Sequence, residues 1–383
     1  MFKRSLFEHE HEQFRDTVRR FIKDRIVPFH DQWEKDGQIS REAWLEAGEA
    51  GLLCATVPEE YGGLGVSFLF SIIVMEELAE VGAMGPGFTL HSDIVAGYLV
   101  EYGSRELCET WLPKMVSGEK IGAIAMTEPA AGSDLQGMKT TALRDGDEYV
   151  ISGQKVFITN GQLCDFVIVA CKTDPSAGGR GISLVLVETD RAGFSRGRNL
   201  EKIGWKAQDT SELFFDNVRV PVSNLVGTEG RGFVQLMEQL PQERLMQAIR
   251  AVSIIEAALQ WTVDYTRERK AFGKPLSSFQ NTRFKLADVQ SQTIMLRVFV
   301  DKCIEMHIKK ELDANDAAIA KLLTSESLCK LVDECLQLFG GYGYMWEYPI
   351  ARAWADARMS RIAGGTCEIM REIIGRELLG RET

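Results

Sequence analysis

Cysteine and histidine, the usual ligands of structural metals, are not arranged as metal sites in this sequence. The eight cysteines form no CxxC pair. Their closest spacings, Cys164 with Cys171 and Cys329 with Cys335, fit no zinc pattern. The five histidines are scattered and form no HExxH motif. We therefore expect no metal site, and we expect buried thiols in a protein of a reducing compartment.

Long runs of basic residues and long runs of apolar residues are also missing. The 44 lysines and arginines are outnumbered by 55 aspartates and glutamates, for a net charge of −11, which disfavours nucleic acid as a partner. The most apolar run, residues 65–75, stops at Glu76 and Glu77, well short of a membrane span. Acidic residues begin before any apolar signal region. We expect a protein of the bacterial cytoplasm, with the mitochondrial matrix left open.

The chain is organised as three predicted domains. Its 383 residues are too many for one ordinary core, and 45% apolar content is enough for two or three fused domains. Helical spacing dominates residues 1–120, short β-rich runs dominate 121–228, and helical spacing returns over 229–383. The predicted fold is α+β multidomain, with an N-terminal all-α domain, a central antiparallel β domain and a C-terminal four-helix bundle.

Local patterns support this division. An apolar stripe predicts a first helix that Pro28 ends, and Ser40 is the predicted N-cap of a later one. In the central third, Asp145-Gly146 and Ser152-Gly153 supply hairpin-turn chemistry. The bundle is indicated by two seams with alternating spacings of three and four. The stripe and the seams are Phe14, Val18, Phe21, Ile22 and Ile26; Leu286, Val289, Thr293, Leu296, Val300 and Cys303; and Leu328, Leu331, Val332, Cys335, Leu336 and Phe339.

Two glycine-containing segments invite a nucleotide interpretation. The segment "FGGYGY", residues 339–344, follows a predicted helix and precedes no strand, so it is not a Rossmann fingerprint. A helix C-cap and turn is the favoured interpretation, and close approach of its bare amides to a ligand is the alternative. The segment "MTEPAAGSDLQG", residues 126–137, combines hydroxyls with bare amides and suits a polar heterocycle or a pyrophosphate. Taken alone, each segment is also an ordinary loop.

Six segments together make a specific signal because they occur in order on the predicted architecture. They are "PEEYGGLG", "MTEPAAGSD", "SGQKVFITNG", "ERKAFGKPLSSFQ", "CLQLFGGYGYMWEYPIAR" and "GGTCEIMRE". The sequence resembles the acyl-CoA dehydrogenase family over essentially its full length, and it is most similar to the long-chain type. The resemblance implies an FAD enzyme that oxidises an acyl-CoA thioester to a trans-2-enoyl-CoA, with flavin N5 taking the β hydride. It also implies a homotetramer that passes electrons to an electron-transferring flavoprotein.

The resemblance also implies two groups of cofactor-binding residues. Met126, Thr127 and Ser133, with Phe157 and Thr159, would contact the flavin half of FAD. A second group would reach the FAD of a neighbouring subunit or meet an anion at the last helix. These residues are Arg269, Phe272, Gln280, Gln337, Gly341, Thr366 and Glu368.

Members of the family carry the catalytic base at one of two positions. Many family members carry it immediately before the Gly-Thr pair, where this sequence has Gly364. A smaller set, including the long-chain and isovaleryl types, places it at the start of the helix that opens the C-terminal domain. The segment "LPQERL" resembles the long-chain form there, which makes Glu243 the expected base, in the first turn of a helix. Ser133, Arg244, Gly364 and Gly365 would lie against the substrate. Helical spacing alone instead favours a solvated charge, because Glu243 shares its face with Gln247, Arg250 and Ile254.

The acyl chain and the reaction itself leave alternatives. Gly364 and Gly365 leave no side chains near the thioester, which favours a long acyl chain. A branched acyl chain is the second choice. The same fold would also serve an acyl-CoA oxidase or a flavin monooxygenase, both of which react with dioxygen. A helical interaction scaffold without catalysis is the alternative from a different class, and Gly364 lends it some support.

Overall fold

The structure is a computed structural model that describes residues 4–380. Its N-terminal part is helical. The helices are α1 (His9–Phe21), α2 (Val27–Asp36), α3 (Arg41–Glu49), α4 (Phe68–Glu80), α5 (Ala96–Tyr102) and α6 (Arg105–Val116). Two π-helical turns, Ile22–Ile26 and Leu90–Val95, precede α2 and α5 respectively.

The prediction that Pro28 ends the first helix is wrong. α1 passes through a π-helical turn into α2, and Pro28 occupies the start of α2. The missing N–H of a proline costs few backbone hydrogen bonds at that position. The combined helix ends at Gly37, which has a left-handed φ of 75°. The predicted cap at Ser40 is confirmed, since its Oγ accepts a hydrogen bond from the Ala43 amide at 3.3 Å.

A single sheet of eight strands forms the central part. The strands are β1 (Gly122–Ala125), β2 (Thr141–Asp145), β3 (Glu148–Thr159), β4 (Phe166–Lys172), β5 (Ile182–Glu188), β6 (Phe194–Asn199), β7 (Thr210–Pro221) and β8 (Leu225–Val226). Their order is β6-β7-β3-β2-β4-β5-β8, with β1 beside β4. The β1–β4 and β2–β4 pairs are parallel and the rest are antiparallel. Parallel neighbours need long connections, so no local turn signal marks them.

One of the two predicted hairpin turns is confirmed. Asp145-Gly146 lies in the β2–β3 turn, with Gly146 at a φ of 63°. Ser152-Gly153 instead lies inside β3, at a shift of register against β7. A side chain at Gly153 would place its Cβ 2.4 Å from Thr140 Oγ1. This glycine therefore permits close packing within the sheet.

Five helices form the C-terminal part: α7 (Gly232–Glu268), α8 (Gln280–Ile308), α9 (Ala314–Phe339), α10 (Pro349–Ala357) and α11 (Cys367–Leu379). α7, α8 and α9 pack against one another, while α10 and α11 pack against α9. Both predicted seams are confirmed, because their residues are buried or partly buried in one core. A short hairpin, β9 (Lys270–Ala271) with β10 (Lys274–Pro275), joins α7 to α8.

The prediction that Glu243 lies in a first helical turn is wrong. α7 begins at Gly232 and continues through Pro241, so Glu243 lies 11 residues past the start, or about 16 Å along the axis. A proline followed by polar residues resembles a helix N-terminus in sequence. Packing of α7 against α4, α8 and α9 maintains the helix despite the lost backbone hydrogen bond.

Buried ion pairs join the N-terminal helices to the C-terminal bundle. Glu76 of α4, only 7% exposed, contacts Arg4 at 2.7 Å, Arg15 at 3.0 Å and Arg297 of α8 at 3.1 Å. Arg297 also pairs with Glu256 of α7, so the network joins α4, α7 and α8. Within residues 4–380, no helix is long and apolar enough to cross a membrane.

Candidate active site

Glu243 faces the N-terminal helices, and Tyr98 of α5 covers it. The Tyr98 side chain is fully buried, and its hydroxyl donates a hydrogen bond to Glu243 Oε1 at 3.4 Å. The next residue back along α7, Gln242, donates from Nε2 to the Asp93 carbonyl at 2.7 Å. These contacts fix this turn of α7 against the π-helical turn and α5.

The interpretation of Glu243 as a solvated surface charge is therefore wrong. The face of α7 that it shares with Gln247, Arg250 and Ile254 packs inside the molecule. Ile254 is buried in the C-terminal core, and Arg250 donates to Thr89 Oγ1 at 2.7 Å. Polar residues at helical spacing resemble a solvent-exposed face in sequence. Here the N-terminal helices cover that face instead.

The glycine pair of the C-terminal motif lies beside this same face. Gly364 and Gly365 have φ values of 66° and 95°, a left-handed conformation that side chains rarely adopt. A Cβ on Gly364 would lie 3.7 Å from Gln247 Cγ. Arg244 Nε lies 3.5 Å from the Gly364 carbonyl oxygen, and Lys321 Nζ donates to the Gly365 carbonyl at 2.5 Å. The glycine turn and the Glu243 region of α7 therefore border one site.

Burial controls the charge of Glu243. The residue as a whole keeps partial solvent exposure, yet burial of the carboxyl group raises its pKa to about 7. The Tyr98 hydrogen bond and the charge of Arg244 oppose this rise. Within residues 4–380, no Lys, Arg or His side chain forms an ion pair with Glu243, so the desolvation is only partly offset. A carboxyl group with such a pKa can accept a proton near neutral pH.

A buried ion pair holds the loop that follows β1 in place. Lys155 Nζ donates to Glu128 Oε1 at 2.9 Å and to the Met126 carbonyl at 2.8 Å. Glu128 also accepts hydrogen bonds from the amides of Lys139 and Thr140. Neither Lys155 nor Glu128 was identified from the sequence as a site residue. The signal was present, since both charged residues lie inside the motifs "MTEPAAGSD" and "SGQKVFITNG".

β3 presents an aromatic ring beside this loop. The Val156 amide donates to the Thr127 carbonyl at 3.0 Å, which joins the strand to the loop. A bulge after Lys155 leaves Phe157 at a φ of 62° with its ring 66% exposed. Thr159 ends the same strand, and Ser133 is exposed on the loop. An exposed ring beside a fixed hydroxyl-bearing loop fits the flavin half of FAD.

The predicted second group of FAD contacts lies at the other ends of the bundle helices. Arg269 follows α7, and its guanidinium lies 5.3 Å from the centre of the Tyr342 ring. Phe272 is 93% exposed at a φ of 50°. Gln280 begins α8, and Gln337 and Gly341 lie near the end of α9. All five positions are exposed, as contacts to a neighbouring subunit require.

The last predicted cofactor positions lie at the start of α11. Thr366 is its N-cap, and its hydroxyl accepts a hydrogen bond from the Ile369 amide at 3.3 Å. Glu368 is exposed in the first turn. Unpaired amides at a helix start favour an anion nearby. Thr366 therefore lies at the start of the last helix, close in sequence to the glycine turn, and its contact with a cofactor stays a prediction.

A cleft at the start of α7 contains two arginines that were not identified from the sequence. It has a volume of about 580 Å³ and is lined by Gln136, Arg180, Glu229 and Arg231, among others. Arg180 and Arg231 are exposed, and within the described part of the chain neither forms an ion pair. The Glu229 carboxylate accepts from Tyr149 instead. Both arginines lie in ordinary loop sequence, which explains why no motif revealed them.

We predict that the Glu243 carboxyl group destabilises the folded protein at pH values above 4.5, its ordinary pKa. The folded state holds the proton up to about pH 7, whereas the unfolded chain loses it near 4.5, so stability decreases with pH in between. The free energy of unfolding of Glu243→Gln, relative to that of wild type, should therefore increase by on the order of 3 kcal/mol from pH 4.5 to pH 7. Above pH 7 the difference should stay constant. Urea unfolding across this range measures the difference. Glu372→Gln, an exposed control on α11, should show no such trend; a flat Glu243→Gln difference would contradict the prediction.

Comparison with known proteins identifies the family. Three family models match the chain: Acyl-CoA dehydrogenase, N-terminal domain, at residues 8–119; middle domain, at 123–218; and C-terminal domain, at 230–379. The chain is 50% identical to the long-chain specific acyl-CoA dehydrogenase, mitochondrial, of Sus scrofa, over 98% of this chain and 88% of that protein.

Solved structures agree with the sequence comparison. An acyl-CoA dehydrogenase from Geobacillus kaustophilus superposes with a TM-score of 0.96 at 47% identity, covering 98% of this chain and 100% of that one. A glutaryl-CoA dehydrogenase from Mycobacterium smegmatis in complex with FADH2 matches with a TM-score of 0.91 at 29% identity, covering 99% and 96%. No cluster of metal ligands is found within residues 4–380. The chain belongs to the acyl-CoA dehydrogenase family of oxidoreductases.

Proposed function

We propose that this protein is an FAD-dependent dehydrogenase of long-chain acyl-CoA, with Glu243 as the base that removes the α proton. The observation that carries the proposal is the desolvated carboxylate of Glu243, with a pKa near neutrality, on the face of α7 whose Gln247 lies beside Gly364. Gly364 has no side chain to act as a base. Gln247, on the same face of α7 as Glu243, lies beside Gly364, so Glu243 can supply the carboxylate that Gly364 lacks.

Glu243 acts in its ionised form. Tyr98 orients the carboxylate by its hydrogen bond and lowers the pKa that burial raises. The buried guanidinium of Arg244 favours negative charge that develops on the substrate carbonyl as the proton leaves. When bound, the flavin supplies the hydride acceptor. Met126, Thr127, Ser133, Phe157 and Thr159 would hold its ring system beside the site.

Arg180 and Arg231 are suited to the phosphates of the CoA moiety. Their cleft lies at the N-terminal end of α7, where the helix dipole also favours negative charge. Val234, which lines the cleft, is nine residues before Glu243, or about 14 Å along the axis. A substrate with a phosphate end and a thioester end can therefore lie along the first turns of α7.

A homotetramer and an electron-transferring flavoprotein complete the proposal. The second group of FAD contacts, Arg269, Phe272, Gln280, Gln337 and Gly341, would serve a neighbouring subunit, and Glu368 would lie near the same cofactor as Thr366. Large apolar side chains exposed on this part of the surface support such an interface: Phe272, Phe284, Met295, Tyr342, Tyr344 and Met345. The compartment stays a prediction, the bacterial cytoplasm.

Similarity favours a long acyl chain. The mammalian relative that is 50% identical is named for long-chain substrates, and Gly364 leaves room beside the thioester. Each methylene buried in an apolar tunnel contributes about 0.8 kcal/mol, so a tunnel of this kind discriminates strongly by length.

We expect saturated long-chain acyl-CoA to bleach the oxidised-flavin absorbance of the purified protein under anaerobic conditions. Glu243→Gln should retain FAD but be bleached about 10² to 10⁴ times more slowly, because a positioned base contributes that much to rate. A series of straight and branched acyl-CoAs measures the preference for length and branching. Slow reoxidation of the bleached protein by air is expected of a dehydrogenase, and rapid reoxidation would indicate an oxidase.

Glu238→Gln is the matched control. Glu238 is on the same helix and is exposed, with a hydrogen bond from Tyr102. Its removal should leave the bleaching rate within a factor of about two. Wild-type bleaching in Glu243→Gln would disprove the base assignment, and a yellow protein that no acyl-CoA bleaches would disprove the proposed function.

Replacement of the cleft arginines should weaken substrate binding without slowing the chemical step. Arg180→Ala and Arg231→Ala should each raise KM about 3- to 30-fold with little change in kcat, since an exposed charge on a phosphate contributes to binding alone. The effect should diminish with added salt. Steady-state kinetics with an artificial electron acceptor measures both constants. Arg267→Ala, an exposed control near the end of α7, should change neither; unchanged KM in both cleft variants would remove the cleft from the CoA site.

A further inference from the structure

The face of α7 beyond Glu243 contains a second polar group, Arg250. It lies seven residues further along the helix, which is about 10 Å along the axis. Gln247 lies between the two on the same face. An acyl chain that starts at Glu243 and follows this face of α7 therefore reaches Arg250.

Arg250 is held at a junction of all three parts of the fold. Its Nη2 donates to Thr89 at the start of the π-helical turn at 2.7 Å. Its guanidinium lies 4.8 Å from the ring centre of Trp205, in the loop before β7. Within residues 4–380, no other hydrogen bond and no ion pair of this side chain is found. A guanidinium has five N–H donors, so most of them face no protein acceptor.

Arg250 and Glu243 share an uncommon combination of properties. Burial dominates the pKa of both groups, lowering that of Arg250 to about 10 and raising that of Glu243 to about 7. Both side chains nevertheless keep some accessible surface. Both groups face the N-terminal helices, Glu243 through Tyr98 and Arg250 through Thr89. The two groups therefore lie on one face of α7, between that helix and the N-terminal part.

The charge of Arg250 is incompletely balanced. Asp93, whose charge opposes the lowering of the Arg250 pKa, is 4% exposed and does not form an ion pair with it. Burial raises the pKa of Asp93 to about 7, so this carboxyl group carries only part of a charge near neutrality. Asp93 Oδ1 has no hydrogen-bond partner within the described residues. A buried cation without a bonded anion is costly, and an anionic ligand would offset that cost.

We propose that Arg250 binds a carboxylate carried by the acyl chain, so that the preferred substrates are acyl-CoAs with a second, distal carboxyl group. The inference rests on the proposed function, because it requires the acyl chain to lie along α7 from Glu243. A carboxylate accepts two parallel hydrogen bonds from a guanidinium fork. An entirely apolar chain would leave those donors buried and unpaired.

The test compares matched substrates. Pairs of acyl-CoAs of equal length, one ending in a methyl group and one in a carboxylate, are used to reduce the flavin anaerobically over a range of lengths. Wild type should favour the carboxylate member by about 10- to 100-fold in kcat/KM at the length that reaches Arg250, as a charge-assisted hydrogen bond predicts. A third series ending in a hydroxyl group separates recognition of an anion from recognition of any polar oxygen.

Three variants make the assignment specific. Arg250→Met removes the charge and should reverse the preference towards the methyl member. Asp93→Asn removes the competing acid and should increase the preference for the carboxylate several-fold. Arg267→Met, an exposed control on the same helix, should keep the wild-type ratio. Each ratio is taken within one protein, so partial unfolding of a variant cancels.

A binding measurement without catalysis completes the test. Carboxylate-ended acyl-CoA thioethers, which cannot be oxidised, should raise the melting temperature of wild type more than their methyl-ended counterparts, and Arg250→Met should lose that difference. Equal use of both members of each pair, with ratios unchanged in Arg250→Met, would overturn the inference and leave the proposed function intact. Preference for the hydroxyl series over the carboxylate series would also overturn it. Absence of bleaching by every acyl-CoA would overturn the proposed function and this inference together.

Discussion

The site depends on one unbroken helix. α7 runs for 37 residues and passes through Pro241 without ending, so the polar face that begins at Glu243 lies in the interior. Contacts with Tyr98, with Asp93 through Gln242 and with Thr89 through Arg250 attach that face to the N-terminal helices. If α7 began at Pro241, Glu243 would lie in a first turn, where the helix dipole would lower its pKa. Its deeper position lets desolvation dominate.

Two kinds of buried charge matter for the site. Glu128 with Lys155, and Glu76 with Arg4, Arg15 and Arg297, are fully paired, and these groups fix loops and domains in place. Glu243 and Arg250 are buried without an ion-pair partner in the described part of the chain. Fully paired charges have a structural role, because the opposite charge of the partner already offsets the cost of burying each ionised group. A desolvated group without an ion pair, such as Glu243 or Arg250, can gain a partner when a substrate binds along α7.

The architecture and the helix seams were predictable from sequence because they depend on periodicity, which local residues record. Pro28, Pro241 and Ser152-Gly153 led to wrong predictions. The prolines usually mark the end or start of a helix and Ser-Gly usually marks a turn, but tertiary packing overrides these local preferences here. Glu243 could not be assigned from spacing, since a polar face looks the same whether water or another domain covers it. Lys155 and Glu128 lie inside recognised motifs, but these motifs are distant in sequence and only the fold brings the two side chains together. Arg180 and Arg231 come together from separate loops, and no local pattern marks such a cleft.

The pH dependence of flavin reduction tests the central claim most directly. Rapid mixing of the oxidised protein with saturating acyl-CoA would give the reduction rate from pH 5 to pH 9, in wild type and in Tyr98→Phe. If ionised Glu243 is the base, the wild-type rate rises with pH through a single ionisation whose midpoint lies near neutrality. Loss of the Tyr98 hydrogen bond, which lowers the pKa of Glu243, moves that midpoint to higher pH. A rate independent of pH, or a midpoint unmoved in Tyr98→Phe, would contradict the account.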